Sequence, residues 1–212
     1  PIASAPQGYH HNWINQILPY MEEQNTYNHI DMTVSVYDEK NKAPREVQNR
    51  TLRCPSSPGW DSEIAFTNYA GCHHDLEAPI DEDNHGVFFL NSAVRYEDIS
   101  DGTAHTLFIG EKSAEAKSDL GWMSGTRWTL RNTGTPLNGL RSQRRLARQQ
   151  NVNPDDAAQS ELYVGGFESF HPGGANFVLG DGHVQFFSES VDLEILQQYA
   201  HRADGKLLPE RP

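Results

Sequence analysis

The chain has 212 residues, of which 36% are hydrophobic and 17 are glycine, a composition within the range of folded globular proteins and unlike that of disordered chains. Seventeen basic and 29 acidic residues leave a formal charge of −12, which opposes binding to nucleic acid phosphates or to an anionic lipid surface. No apolar run approaches the roughly 20 residues of a membrane-spanning helix. We expect residues 1–212 to form a single domain with loop-rich insertions over 72–160.

Helical periodicity is clearest near the N-terminus. Apolar residues follow the i, i+3, i+4, i+7 spacing of an amphipathic helix at Ile14, Ile17, Leu18 and Met21. Pro19 predicts a kink or a restart within this helix. A short helix is predicted over 45–50, because Pro44 suits a first-turn position, and a terminal helix over 191–201.

Beyond Cys54, short β-prone runs alternate with Gly, Asn and Asp, as is typical of an antiparallel sheet with long loops. The candidate strands cover residues 65–70, 86–90, 106–109, 125–130 and 163–171. The sequence therefore predicts an α+β fold, with an N-terminal helix packed on an antiparallel β-sheet and a C-terminal β-meander plus helix.

A hairpin is predicted near the C-terminus. Asp181-Gly182 separates two β-prone runs, and this dipeptide favours a two-residue turn in which both residues have positive φ. The register of such a turn places four apolar side chains on the core face: Phe177, Leu179, Val184 and Phe186. Pro172-Gly173-Gly174 supplies another turn, so residues 165–188 are predicted to form a three-stranded meander.

His171 is followed by nine residues and then by Asp181-Gly182, within the run Ser-Phe-His-Pro-Gly-Gly-Ala-Asn-Phe. This pattern resembles the H-x9-DG motif of a large family of secreted or membrane-anchored bacterial proteins. Those proteins usually begin with a prepilin-type cleavage and methylation helix, and their main domain has no assigned function. Further segments agree in order along the chain: 16–22, 52–56, 67–71, 99–103, 106–111 and 202–205.

The resemblance implies a pseudopilin-like subunit of the cell envelope that acts by assembly or display, without catalysis. It implies an extracytoplasmic location, in the periplasm or at the cell surface, with self-assembly or other envelope proteins as partners. The sequence begins at Pro1 rather than Met, and we expect that a tethering N-terminal helix, the one membrane contact, precedes it in the full protein. The alternative is an extracytoplasmic saccharide- or solute-binding module, assisted by calcium, that uses exposed aromatics such as Trp60, Trp122 and Trp128.

The motif residues are predicted to have structural roles. On the hairpin assignment, His171 and Asp181 lie at opposite ends of one strand, about 20 Å apart, whereas metal ligands share a centre within about 2.0–2.6 Å. Turns and local hydrogen bonds with adjoining backbone are therefore expected from His171, Gly173, Gly174, Asn176, Asp181 and Gly182. The chain has neither a Gly-x-Ser-x-Gly elbow nor a phosphate-binding glycine motif, so no enzyme is predicted.

Cys54 and Cys72 are the two cysteines of the chain. A disulfide between them would stabilise the fold by about 3 kcal/mol in the chain-entropy model and would require an oxidising compartment. The alternative is two unrelated buried thiols.

Two charged segments are further candidates. Asp81, Asp83 and His85 could hold calcium, although the EF-hand pattern requires Asp or Asn at position 85 and Glu at 92. The alternative is a solvated acidic loop, and no other cofactor is predicted.

Four arginines share one face of a predicted helix over 139–150: Arg141, Arg144, Arg145 and Arg148. They form either a docking strip for an acidic surface or a carbohydrate acid, or a solvated face.

Overall fold

The computed structural model describes residues 8–58, 65–113, 119–139, 141–142 and 162–206, and these residues form an α+β fold. The α-helices are α1 (Trp13–Ile17), α2 (Gln24–Asn28), α3 (Lys42–Arg45) and α4 (Leu193–Ala200). The strands are β1 (Tyr69–His74), β2 (Leu107–Glu111), β3 (Leu130–Asn132), β4 (Gly174–Leu179) and β5 (Val184–Ser188). Short 3-10 helices cover Leu18–Met21, Glu39–Asn41, Arg50–Leu52, Tyr96–Asp98 and Thr103–His105.

The five strands form one sheet in the order β3-β1-β2-β4-β5. β3 runs parallel to β1 and the other neighbours are antiparallel, so the sheet is mixed, whereas the sequence predicted an antiparallel one. The long connection between β1 and β3 permits the parallel pairing. The predicted strands over 86–90, 125–130 and 163–171 do not form, apart from Leu130, which begins β3, and one bridge between Gly166 and Asn132. These segments form coil, bends and turns that are buried or half-buried. A short apolar run in the sequence does not distinguish such a segment from a strand.

The predicted hairpin is confirmed, but its predicted register is wrong. Of the two predicted turn residues, Gly182 adopts positive φ (+90°) and Asp181 does not. The N–H of Gly182 donates to the carbonyl of Leu179 (2.9 Å). The loop therefore has three residues, with a type I turn followed by a left-handed glycine. Phe177 pairs with Gln185 rather than with Phe186. Because side chains alternate across a strand, this one-residue difference turns Val184 and Phe186 away from the core and places Phe187 in it.

The N-terminal helical region is broken at Pro19, as the sequence predicts. Asn12 caps α1 by accepting a hydrogen bond from the N–H of Asn15. A 3-10 turn containing Pro19 follows and ends at Glu22, which is left-handed (φ 62°), before α2 begins. The helix predicted over 45–50 is instead α3, and Pro44 lies inside it.

Two main apolar clusters fill the interior. The first lies between the sheet and α4, the predicted terminal helix, which Asp192 caps through the N–H of Glu194. The second surrounds α1 and its 3-10 extension, where Ile14 and Leu18 pack with Trp122 and Met123. None of the helices described here is long and apolar enough to cross a membrane.

The register can be tested by truncating the two adjacent phenylalanines of β5. Phe187 is 1% exposed and Phe186 is 50% exposed. Phe187→Ala should lower the free energy of unfolding by about 3–5 kcal/mol, because it leaves a cavity in the core. Phe186→Ala, the matched control, should lower it by about 1 kcal/mol or less. Urea denaturation measures the free energy of unfolding of both variants. A larger loss for Phe186→Ala than for Phe187→Ala would support the two-residue turn instead.

Candidate functional site

The carboxylate of Glu111 is the centre of the candidate site. Glu111 ends β2, the middle strand of the sheet, and is 4% exposed. Its Oε2 accepts hydrogen bonds from the backbone N–H of Asn176 (2.8 Å) and from the hydroxyl of Ser169 (2.9 Å). Its Oε1 lies 3.1 Å from Nε2 of His171. The strand end thus connects directly to the segment that carries the H-x9-DG pattern.

His171 contacts side chains from distant parts of the chain. Its Nε2 lies 3.5 Å from Sγ of Cys54, in addition to its contact with Glu111, and its Nδ1 lies 3.4 Å from the hydroxyl of Ser56. Its backbone N–H makes a local hydrogen bond, donating to the hydroxyl of Ser169. The prediction that the His171 and Asn176 side chains bond adjoining backbone is therefore wrong, because the Asn176 amide also points to Glu111 (3.4 Å).

Cys54 and Cys72 are both free and buried, so the disulfide that the sequence allowed is not formed. Cys72 lies in β1, where its thiol points to the carbonyl of His74 (3.8 Å), while Cys54 faces His171. Burial raises the pKa of both thiols. The negative charge of Glu111 raises the pKa of Cys54 further. Both side chains are therefore protonated thiols near neutral pH.

A cavity of about 390 Å³ opens beside Cys54, Glu111 and His171. Its other walls are mainly apolar side chains on the sheet face opposite α4, including Ile109, Val178 and Val184. The hairpin register places Val184 here. A buried sulfur, a buried carboxylate and an imidazole thus share one small, largely apolar space.

The remaining motif residues shape the β4–β5 hairpin. Oδ1 of Asp181 accepts a hydrogen bond from the N–H of His183 (3.0 Å), and this bond lowers the pKa of Asp181. Gly173 has a φ of +79°, while a Cβ on Gly174 would lie 2.0 Å from the carbonyl oxygen of Phe187. Asp181 contacts His183, whereas His171 contacts Glu111.

The side chains that converge near the acidic loop are not those of the predicted calcium site, although His85 belongs to both sets. Asp75 contacts Nδ1 of His74 (2.6 Å) and Nδ1 of His85 (2.8 Å), whereas neither Asp81 nor Asp83 joins this group. Burial raises the pKa of Asp75, but its hydrogen bonds with His74 and His85 outweigh burial and hold that pKa well below its usual range. Two imidazoles and one carboxylate do not form the oxygen-rich shell that calcium prefers.

A second, larger cavity of about 810 Å³ lies beside α1. Its aromatic walls are Tyr9, Trp13, Phe88 and Phe89. We call this cavity the aromatic cleft. Of the tryptophans that the sequence suggested for ligand binding, Trp122 and Trp128 are buried in the interior and do not line this cleft. Trp60 lies outside the described residues.

Of the four arginines of the predicted docking strip, Arg141 is described, and Arg144, Arg145 and Arg148 lie outside the described residues. Arg141 donates a hydrogen bond to the carbonyl of Ser169, and its guanidinium lies 4.8 Å from the centre of the Phe170 ring. It therefore supports the His171 segment from within the same chain.

The architecture and the Glu111–His171 site define an α+β protein with a buried polar cluster beside an apolar cavity. The chain belongs to the family described as "Protein of unknown function (DUF1559)", whose model matches residues 2–194. Neither the curated proteins nor the solved structures contain a match to this chain.

Sequence reasoning missed the grouping of Cys54 and Glu111 with His171. A signal was present, because the segments 52–56 and 106–111 that resemble the H-x9-DG family contain these two residues. Their convergence depends on tertiary structure, since Cys54 and His171 are separated by 117 positions.

A buried histidine in β1 predicts acid sensitivity. Burial lowers the pKa of His73 to about 4, although its hydrogen bond with Asn84 opposes the shift. On acidification, this histidine therefore takes up a proton at a higher pH in the unfolded chain than in the folded protein. Its contribution to the free energy of unfolding is complete above about pH 6.5 and should fall by roughly 3 kcal/mol on acidification to pH 4. Urea titrations across this range should show a smaller loss for His73→Gln, whereas His29→Gln, at an exposed histidine, should match the wild type. Equal losses in all three proteins would contradict the assignment.

Proposed function

We propose that this protein is an extracytoplasmic domain of the cell envelope that binds a neutral saccharide or similar small solute in the aromatic cleft. The cleft itself is the observation that carries the proposal. A volume of about 810 Å³ falls within the range of small-molecule sites, which are mostly apolar with a few polar groups. No catalytic step is part of this proposal.

The cleft combines aromatic faces with hydrogen-bonding side chains. Trp13 is held in place, because its indole N–H donates to the carbonyl of Thr129 (2.9 Å) and its ring centre lies 5.3 Å from that of Phe88. Rigid rings reduce the ordering cost of binding. The cleft wall also carries the polar side chains of Gln16, Asn91 and Ser92. Aromatic faces with polar side chains nearby suit the apolar and hydroxyl faces of a sugar ring.

The charge of the chain narrows the ligand class. The formal charge of −12 disfavours association with anionic solutes through long-range repulsion. Neutral sugars therefore fit better than the carbohydrate acid considered for the arginine strip. Calcium is not needed for this mode of binding.

The envelope location and the pseudopilin-like tether in this proposal depend on the resemblance to the H-x9-DG proteins. The family match supports membership in a family of unknown function, and the tether and export remain our inference. Expression of the full-length gene in its native host tests them, because a tethered protein would be cleaved and recovered with the membrane. Recovery as an uncleaved cytosolic protein would contradict them.

Ligand binding can be tested at the rim of the cleft. Tyr9 is 61% exposed and lines the cleft, whereas Tyr20 is 88% exposed and does not. Calorimetric titration with neutral oligosaccharides of glucose and N-acetylglucosamine should detect binding to the wild type. Tyr9→Ala should weaken it about fivefold, because stacking on an aromatic ring contributes on the order of 1 kcal/mol.

Tyr20→Ala is the matched control and should bind like the wild type. Absence of binding by the wild type to both sugar series, or equal affinities for wild type and Tyr9→Ala, would contradict the saccharide assignment.

Self-assembly is a second candidate function, and one feature favours it. β5 has β4 as its one neighbour among the described strands, and it exposes Val184 (63%) and Phe186 (50%). An edge strand with exposed apolar side chains can pair with a further copy of the chain. Such pairing would give the assembling structural subunit that the resemblance implies.

A charge on β5 should disrupt such pairing. Phe186→Lys places a solvated cation on the edge strand, and sedimentation velocity should show a shift from oligomer to monomer at concentrations where the wild type associates. Leu76→Lys, at another exposed apolar position, should leave the distribution unchanged. A wild type that stays monomeric throughout would contradict assembly through β5.

A further inference from the structure

The side chains of Cys54, Glu111 and His171 bring a sulfur, a carboxylate oxygen and an imidazole nitrogen within 4.8 Å of one another. We propose that these three residues bind Zn²⁺, with the 390 Å³ cavity providing access to a fourth coordination position. This site is separate from the aromatic cleft, with which it shares no lining residue.

Two of the three donor–donor distances match those of a zinc tetrahedron. With Zn–S near 2.3 Å and Zn–N and Zn–O near 2.0–2.2 Å, tetrahedral angles place S and N about 3.5 Å apart and N and O about 3.3 Å apart. The Cys54 Sγ to His171 Nε2 distance is 3.5 Å, and the His171 Nε2 to Glu111 Oε1 distance is 3.1 Å. Small side-chain adjustments would complete coordination.

The chemical types of the three donor atoms determine which metal ion the site prefers. Thiolate and imidazole ligands suit zinc and related transition metals, whereas calcium and magnesium prefer oxygen. The other candidate group, His74, Asp75 and His85, is less suitable because it offers no sulfur ligand. The Cys54 group thus has the stronger case.

Surrounding residues orient two of the ligands before a metal binds. Ser169 and the backbone of Asn176 hold Oε2 of Glu111, which directs Oε1 toward His171. The hydroxyl of Ser56 lies 3.4 Å from Nδ1 of His171, on the ring nitrogen that does not face the cluster. Such outer contacts fix ring orientation and raise metal affinity. On binding, the Cys54 thiol loses its proton to solvent and the sulfur donates an electron pair to Zn²⁺.

Cobalt substitution tests the proposal, because a thiolate bound to Co²⁺ gives a near-ultraviolet charge-transfer band. Chelator-treated protein should bind one equivalent of Co²⁺ with this band, and Zn²⁺ should displace it. Cys54→Ser should abolish the band, and Cys72→Ser, the matched control at the other buried thiol, should retain it. His171→Gln and Glu111→Gln should each weaken Zn²⁺ binding at least tenfold, while His183→Gln, at the histidine directly after Asp181-Gly182, should not.

Two further variants keep the result decisive. Ser56→Ala preserves all three ligands and should weaken Zn²⁺ affinity about tenfold while the charge-transfer band persists, so it serves if Cys54→Ser fails to fold. His85→Gln should leave binding unchanged. Absence of the band in the wild type, its survival in Cys54→Ser, or loss of Zn²⁺ binding in His85→Gln would overturn the assignment. These outcomes are independent of saccharide binding.

Discussion

The buried carboxylate of Glu111 organises the part of the molecule that carries the H-x9-DG pattern. A charge removed from water is costly unless hydrogen bonds compensate it. Ser169 and the backbone of Asn176 provide that compensation, and His171 lies beside the second oxygen. These partners come from the segment around the start of β4, so the need to satisfy one charge fixes that segment against the end of β2. The position of His171 beside Cys54 is a consequence.

The β4–β5 turn decides what each face of the sheet presents. On one face, Phe177 and Phe187 pack in the core beneath α4. On the other, Val178 and Val184 line the cavity beside Cys54. A turn shorter by one residue would exchange the two faces of β5, because side chains alternate along a strand. The glycine at position 182, which takes the left-handed conformation, thus determines both the core and the cavity wall.

The two cavities suit different chemistry. The aromatic cleft is large, has a rigid tryptophan in its wall and carries polar side chains that can bond hydroxyl groups. The smaller cavity has a buried sulfur and a buried carboxylate, which suit a borderline metal ion. An acidic protein disfavours anions at both places. The two proposed ligands, a neutral solute and a cation, agree with this net charge.

Local patterns determined the elements whose stability is local. The break at Pro19, the helix after Asp192 and the Asp181-Gly182 hairpin follow from backbone restriction, capping and turn chemistry, which depend on a few neighbouring residues. The prediction of strands over 86–90 and 163–171 was wrong, because a buried segment is apolar whether or not it pairs with a neighbouring strand. Only tertiary structure brought Cys54, Glu111 and His171 together, since their proximity depends on the sheet order and on the satisfaction of a buried charge.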